Sequence, residues 1–305
     1  MKTNGLSLTR RDFLAMSAAV LAQSVTSPAR AAEATASAAA PATPKKYPVG
    51  LELYSVRGEL ARDIPNTLRE VARMGYEVVE FYAPYQAWTF PQAKDIRTVL
   101  DDLGVRCYST HTEFNAFTPG PNMAKAIELN QILGSRFLIC NTASATGMEG
   151  WKKLGGQYAA ASEEFAKHGL FAGFHNHAAE WALVEGKQRI MDVLAANTPK
   201  EFVLQLDVGT CVEAGADPVA WIKANPGRIK SVHLKDWGPG DPGSPDRGYR
   251  VLFGEGTCPW KDITAAAESV GGVEYYLIEQ EGSRYPEFET AKRCLDTWKT
   301  MRAKG

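Results

Sequence analysis

The chain has 305 residues, 45% of them hydrophobic and 23% charged, which are ordinary globular values. Its formal net charge is −1, so it has no basic surplus with which to grip a phosphate backbone, and nucleic acid is not expected as a partner. The length fits two small domains or one large α/β unit, and barrels of that class commonly take about 250 residues.

The first element reads as an export signal. Thr9-Arg10-Arg11-Asp12-Phe13-Leu14 is a twin-arginine pattern, an apolar stretch runs from Phe13 to Val25, and Ala29-Arg30-Ala31 supplies small residues for a signal peptidase. The apolar stretch is shorter than the roughly 20 residues a bilayer span needs, so no stable membrane span is expected once the signal is removed. Cleavage after residue 31 would remove four basic residues and one acidic residue, taking the net charge from −1 to −4. The expected location is the periplasm or another exported compartment. Residues 32–46 are Ala, Thr, Pro and Ser without periodicity, and are expected to form a flexible linker. One domain, residues 47–305, should follow. The five cysteines, Cys107, Cys140, Cys211, Cys258 and Cys294, include no CxxC pair. They are expected to be buried small residues without an obligatory disulfide.

From Tyr47 onward, short apolar runs alternate with longer helical patterns. Strands are predicted at Val49–Tyr54, Val78–Tyr82, Val105–Thr110, Arg136–Cys140, Leu170–Phe174, Phe202–Leu206, Ile229–Leu234 and Tyr275–Glu279. Helices are predicted near Ile64–Met74, Gln92–Leu103, Met123–Leu133, Trp151–Lys167, Gln188–Ala195, Pro218–Ala224, Trp260–Ser269 and Glu287–Met301. Gly75, Gly104, Gly134 and Gly169 follow helical runs, where glycine takes up the left-handed conformation that closes a helix. Asp63 and Asp217 sit at N-cap positions, with Pro65 and Pro218 just behind. Eight such units imply parallel pairing and an α/β fold, a single-domain (β/α)8 TIM barrel. A doubly wound open sheet is the alternative, but Tyr54-Ser55-Val56-Arg57-Gly58 is not the glycine-rich phosphate loop it would want.

In such a barrel the chemistry collects at the C-terminal ends of the strands. There stand Glu52, Glu80, His111 with Glu113, Asn141, His175 and His177 with Glu180, Asp207, His233 with Lys235 and Asp236, and Glu279-Gln280-Glu281. Four of the five histidines lie at these ends. Imidazoles and carboxylates from separate strands converging on one mouth are the makings of a metal site for Mn²⁺, Co²⁺, Zn²⁺ or Mg²⁺. His175 and His177 are two apart and face the same side of a strand. Asp207 ends an apolar strand, and a buried carboxylate needs a cationic partner. Lys235 and Asp236 read either as site residues or as a surface ion pair. Trp88, Trp181, Trp237 and Trp260 either wall a sugar ring or pack loops.

The motifs Gly50-Leu51-Glu52-Leu53-Tyr54-Ser55-Val56-Arg57, Phe174-His175-Asn176-His177, Leu206-Asp207-Val208-Gly209, Val232-His233-Leu234-Lys235-Asp236, Gly254-Glu255-Gly256 and Ile278-Glu279-Gln280 carry a resemblance. Over residues 47 to 301 the chain resembles the xylose isomerase-like barrel superfamily, in its sugar phosphate isomerase/epimerase branch. The resemblance implies one divalent metal held by side chains from the fifth to eighth strands, in many relatives Glu, Asp, His and Glu. Asp207, His233 and Glu279 match the last three; His175 stands where the first is usually Glu, so that the remaining ligand is His175 or, in its place, His177 or Glu180.

The resemblance also implies a metal-dependent isomerase or epimerase acting on a sugar or keto-sugar through an ene-diolate. In that reading Glu279 is the leading base as well as a ligand, and His177 or Glu180 returns the proton. His111, Lys235, Glu80 and Glu52 bind substrate oxygens. A 3-keto-glycoside lyase, hydrolase or dehydratase would use the same intermediate. A non-catalytic carbohydrate-binding protein is the reading from a different class. An abasic-site endonuclease shares the superfamily, and the acidic, exported character of the chain argues against it. The partner expected is a small carbohydrate, and the oligomeric state is left open.

Overall fold

The structure is a computed structural model and describes residues 47–240 and 248–304. The expected signal segment and linker lie outside the described residues. Eight parallel strands close into a barrel: β1 (Val49–Glu52), β2 (Val78–Phe81), β3 (Arg106–Thr112), β4 (Phe137–Cys140), β5 (Phe171–His175), β6 (Val203–Asp207), β7 (Ser231–Leu234) and β8 (Tyr275–Ile278). Each strand pairs with its successor, and β8 returns to β1 through Gly50↔Leu277. This closure rules out the open sheet. The helices form the outer layer, as the alternation of short apolar runs with helical patterns requires. Among the described residues no helix is long and apolar enough to cross a membrane.

The local signals act where the sequence places them. Asp63 accepts from the backbone N–H of Asn66, and Asp217 from those of Val219 and Ala220. Gly75, Gly104 and Gly134 close their helices with φ of 99°, 67° and 75°. The following segments differ from expectation. β1 ends at Glu52, because the Glu52 carboxylate accepts from Tyr54 N–H at 2.7 Å and turns the chain into a short 3-10 helix, Leu53–Val56. Gln188 and Arg189 belong to a small hairpin with Leu183–Val184, and the helix starts at Ile190. The hairpin turns through Glu185 and Gly186, with φ of 52° and 70°. The short helix Val208–Glu213 gives no periodic signal in the sequence.

The buried apolar side chains fall into two groups. The larger lies between the strands and the helices and includes Leu51, Leu68, Phe81, Leu138, Phe174, Leu206 and Ile278. The smaller, inside the barrel, consists of Val78, Phe137, Ile139, Val203, Tyr275 and Leu277. These six point inward because they alternate with the outward set along each strand. One step further along the same inward rows the residues are Glu52, Glu80, His175, Gln205, His233 and Glu279. The barrel interior therefore has an apolar floor and, above it, a polar layer. The five cysteines are buried free thiols.

Candidate active site

The polar layer is a single hydrogen-bonded cluster. At its centre His233 presents both ring nitrogens to carboxylates: Nδ1 lies 2.8 Å from Glu279 Oε2, and Nε2 lies 2.8 Å from Glu80 Oε1. A ring flanked by two acceptors must donate from both nitrogens, so it is an imidazolium. Burial alone would push its pKa down, but Glu80 and Glu279 override that and hold it up at about 10. Glu80 and Glu279 are fully desolvated too, yet each is kept below the usual carboxylate range. His111, when its ring is protonated, and His233 do this for Glu80, and Lys235 and His233 for Glu279.

Around this core stand His111 and His175. His111 Nε2 faces Gln205 Oε1 at 2.8 Å and Glu80 Oε1 at 3.2 Å. His175 Nδ1 faces Gln205 Oε1 at 2.9 Å, while its Nε2 lies 3.6 Å from Asp207 Oδ2, too far for a hydrogen bond. Burial lowers the pKa of both rings and keeps them neutral, reinforced for His175 by the cations His233 and Lys235. Asp207 uses Oδ1 to cap the helix Val208–Glu213 through Thr210 N–H. Its Oδ2 accepts from Lys235 Nζ at 3.1 Å. Lys235 also donates to Glu281, lies 3.6 Å from Glu279 and sits over the ring of Tyr249. Gly209 lets that helix approach β7: a Cβ there would lie 2.8 Å from the backbone oxygen of Lys235.

The predicted residues separate into three positions. His111, His175, Asp207, His233, Lys235 and Glu279 form the cluster. Glu80 lies within it and Glu52 beside it, and both are enclosed. The Glu80 carboxylate is used by His111, His233, Ser109 and Gln205. Glu52 holds Tyr54 N–H with one oxygen and has no partner for the other. Burial, reinforced by Glu279 and Glu80, raises its pKa well above the usual carboxylate range. His177 stands at the rim with its side chain 43% exposed and its ring centroid 5.1 Å from that of His175. Glu180 is set back from the cluster, its carboxylate accepting from His177 N–H at 2.7 Å.

Asp236 is no surface partner of Lys235. It points away from the mouth and accepts from the N–H groups of Trp237, Gly254, Gly256 and Cys258 and from Trp260 Nε1. Trp260 and Trp181 pack against neighbouring side chains, Phe253 and Trp221 respectively. Gln205 is a site residue that the strand-end pattern does not single out, although a glutamine two residues before Asp207 in an apolar strand is itself a signal for a polar interior position. Glu281 stands in the sequence only as a strand-end neighbour, and its contact with Lys235 gives it a place in the site.

The set has the makings of a metal centre. One donor atom each from His175, Asp207, His233 and Glu279 lie within 4.8 Å of one another, all four residues being buried. His175 Nε2 faces this space without a hydrogen-bond partner, as a ligand nitrogen would. The residues fit a divalent ion with mixed imidazole and carboxylate donors.

The profile of the xylose isomerase-like TIM barrel matches residues 68–301. The chain belongs to that family. Among solved members of this architecture, a sugar phosphate isomerase/epimerase from Parabacteroides distasonis is 25% identical, with a TM-score of 0.67 over 84% of this chain and 95% of that one. A probable 3-DHS dehydratase from Bacillus anthracis is 15% identical, with a TM-score of 0.63 over 84% of this chain and 99% of that one. A D-psicose 3-epimerase studied in the presence of D-fructose is 10% identical, with a TM-score of 0.60 over 83% of this chain and 98% of that one. The last two likenesses are likenesses of fold. No curated protein matches the chain significantly. The xylose isomerase-like barrel thus accounts for the architecture, and the neighbours suggest an enzyme acting on a sugar.

Proposed function

We propose that the chain is a metal-dependent isomerase or epimerase of a sugar or keto-sugar. The observation that carries this reading is the convergence of His175, Asp207, His233 and Glu279 at the C-terminal mouth of the barrel, with donor atoms within 4.8 Å of one another. These four residues would hold the ion, and two imidazoles among the ligands favour Co²⁺, Zn²⁺ or Mn²⁺ over Mg²⁺, which prefers oxygen. When bound, the ion supplies Lewis-acid polarisation of a substrate carbonyl and so acidifies the proton next to it.

The side chains would then divide the remaining work. Glu279, held ionised by its cationic neighbours, is a weak base and suits ligation better than proton abstraction. His177, at the open rim, is the group that takes and returns the proton α to the carbonyl. Glu180 keeps His177 in place through its backbone N–H. Lys235 supplies an ammonium for a substrate oxygen that gains negative charge. Return of that proton by His177 to the neighbouring carbon gives an isomer, and an epimer requires that a second group deliver a proton to the other face. Loss of a β-oxygen substituent instead gives the lyase or dehydratase reaction, which shares the first step.

The test is elemental analysis of the protein together with proton exchange into keto-sugars in D2O. About one divalent ion per chain and solvent deuterium at the carbon next to the carbonyl, both lost in Asp207→Ala, support the reading. Exchange lost in His177→Ala with the ion retained assigns the proton to His177. Tight sugar binding with no exchange would replace the enzyme by a carbohydrate-binding protein.

A further inference from the structure

Gln205 stands at the junction of the site's two neutral histidines. It is fully buried on β6, two residues before Asp207 and on the same inward row. Its amide makes four contacts. Oε1 faces His111 Nε2 at 2.8 Å and His175 Nδ1 at 2.9 Å. Nε2 donates to Glu80 Oε2 and to Ser231 Oγ, both at 2.9 Å.

The orientation of this amide is forced. An ionised carboxylate only accepts hydrogen bonds, so the NH2 end must face Glu80 and the carbonyl must face the rings. A carbonyl oxygen also only accepts, so both ring nitrogens that face it must carry hydrogens. For His175 that places the proton on Nδ1 and leaves the lone pair of a neutral ring on Nε2. Nε2 is the nitrogen directed at Asp207 and the space shared with His233 and Glu279.

We propose that Gln205 is a positioning residue that fixes His175 in its Nδ1–H tautomer, so that Nε2 is available to bind a divalent cation. The inference rests on the reading of this cluster as a metal centre. Its chain of cause starts at Glu80, passes through one amide and ends on a ligand nitrogen. A ligating imidazole whose other N–H is held by a fixed acceptor is a stronger and better aimed ligand, and losing such an acceptor typically lowers metal affinity about 10–100-fold. His111 shares the same acceptor, so its Nδ1 is the nitrogen left free to meet a substrate oxygen.

The decisive measurement needs no variant: the ring ¹⁵N shifts of His175 in the metal-free protein. The Nδ1–H tautomer is expected, and a predominant Nε2–H tautomer overturns the proposal. Cobalt titration followed by visible absorption then compares variants. Gln205→Met keeps the length and removes every hydrogen bond. It should weaken Co²⁺ binding about 10–100-fold and mix the His175 tautomers. Gln205→Glu, protonated toward Glu80, keeps an acceptor for both rings and should restore most of the affinity. Co²⁺ binding by Gln205→Met equal to that of the natural protein also overturns the proposal. If the natural protein takes up no cobalt, the enzymatic reading fails, while the ¹⁵N spectrum still decides whether Gln205 sets the tautomer.

Discussion

Lys235 is a resident cation among carboxylates. Burial opposes its charge, yet Asp207, Glu279 and Glu281 hold its pKa well above the usual lysine range. Removing one member of a buried charge set leaves the others uncompensated and costs about 3–5 kcal/mol. Lys235→Met should therefore lower the melting temperature of the metal-free protein. It should also make Co²⁺ more stabilising, since the remaining carboxylates attract a dication more strongly. Thermal melts with and without Co²⁺ check this, and an increment no larger than that of the natural protein would count against it. The histidines set a second expectation. His111 and His175 have folded pKa values below that of an unfolded histidine, near 6.5. Below that pH the unfolded chain takes up protons that the fold refuses, so stability falls as pH drops. His233 is the reverse: held at about 10, it contributes in full below pH 6.5, and that contribution fades as pH rises toward 10. Urea midpoints of the metal-free protein should therefore peak near neutral pH, each histidine adding a slope of up to about 1.4 kcal/mol per pH unit. A midpoint flat from pH 5 to 9 would refute this assignment of charges. The histidines and carboxylates of the cluster were legible because strand ends carry the chemistry of a barrel. Gln205 was not, because glutamine has no metal or acid–base signature of its own, and its importance comes from neighbours on four other strands.

At the scale of the element, β7 and its continuation show how one segment serves two faces. His233 and Lys235 point into the mouth, and Asp236 points out and gathers five donors from the segment that follows. Gly256 lies so close that a Cβ would sit 2.2 Å from Asp236 Oδ1 and 2.5 Å from the Trp237 oxygen. Asp236→Ala strands several buried N–H groups at about 1–3 kcal/mol each. We expect new protease cleavage between residues 248 and 258, with the barrel still folded. An unchanged digestion pattern would mean the carboxylate is dispensable. The alternation of strands and helices could be read from the sequence because each short apolar run is bounded by a glycine or a cap. The hairpin at 183–189 and the helix Val208–Glu213 could not. The first depends on a three-residue loop, Glu185–Lys187, and the second begins on the side chain of Asp207 and is shorter than two turns, too brief for periodicity.

At the scale of the molecule, the described barrel begins at Tyr47, whose ring packs edge-on against Tyr276. A chain starting at residue 47 should keep the melting temperature of one starting at residue 32. A drop of more than a few degrees would assign the intervening residues to the fold. Export through the twin-arginine pattern is a separate proposal. Arg10→Lys with Arg11→Lys should leave a folded protein in the cytoplasm, and unaltered delivery outside it would refute the assignment. The apolar residues of the barrel form two groups that do not merge, one beneath the helices and a smaller one at the floor of the interior. Most of the water-driven stabilisation therefore resides where the chemistry does not. The architecture therefore does not depend on which polar residues fill the inward rows above the floor, provided that their charges stay matched: a histidine can stand there in place of a glutamate where a glutamine holds its ring.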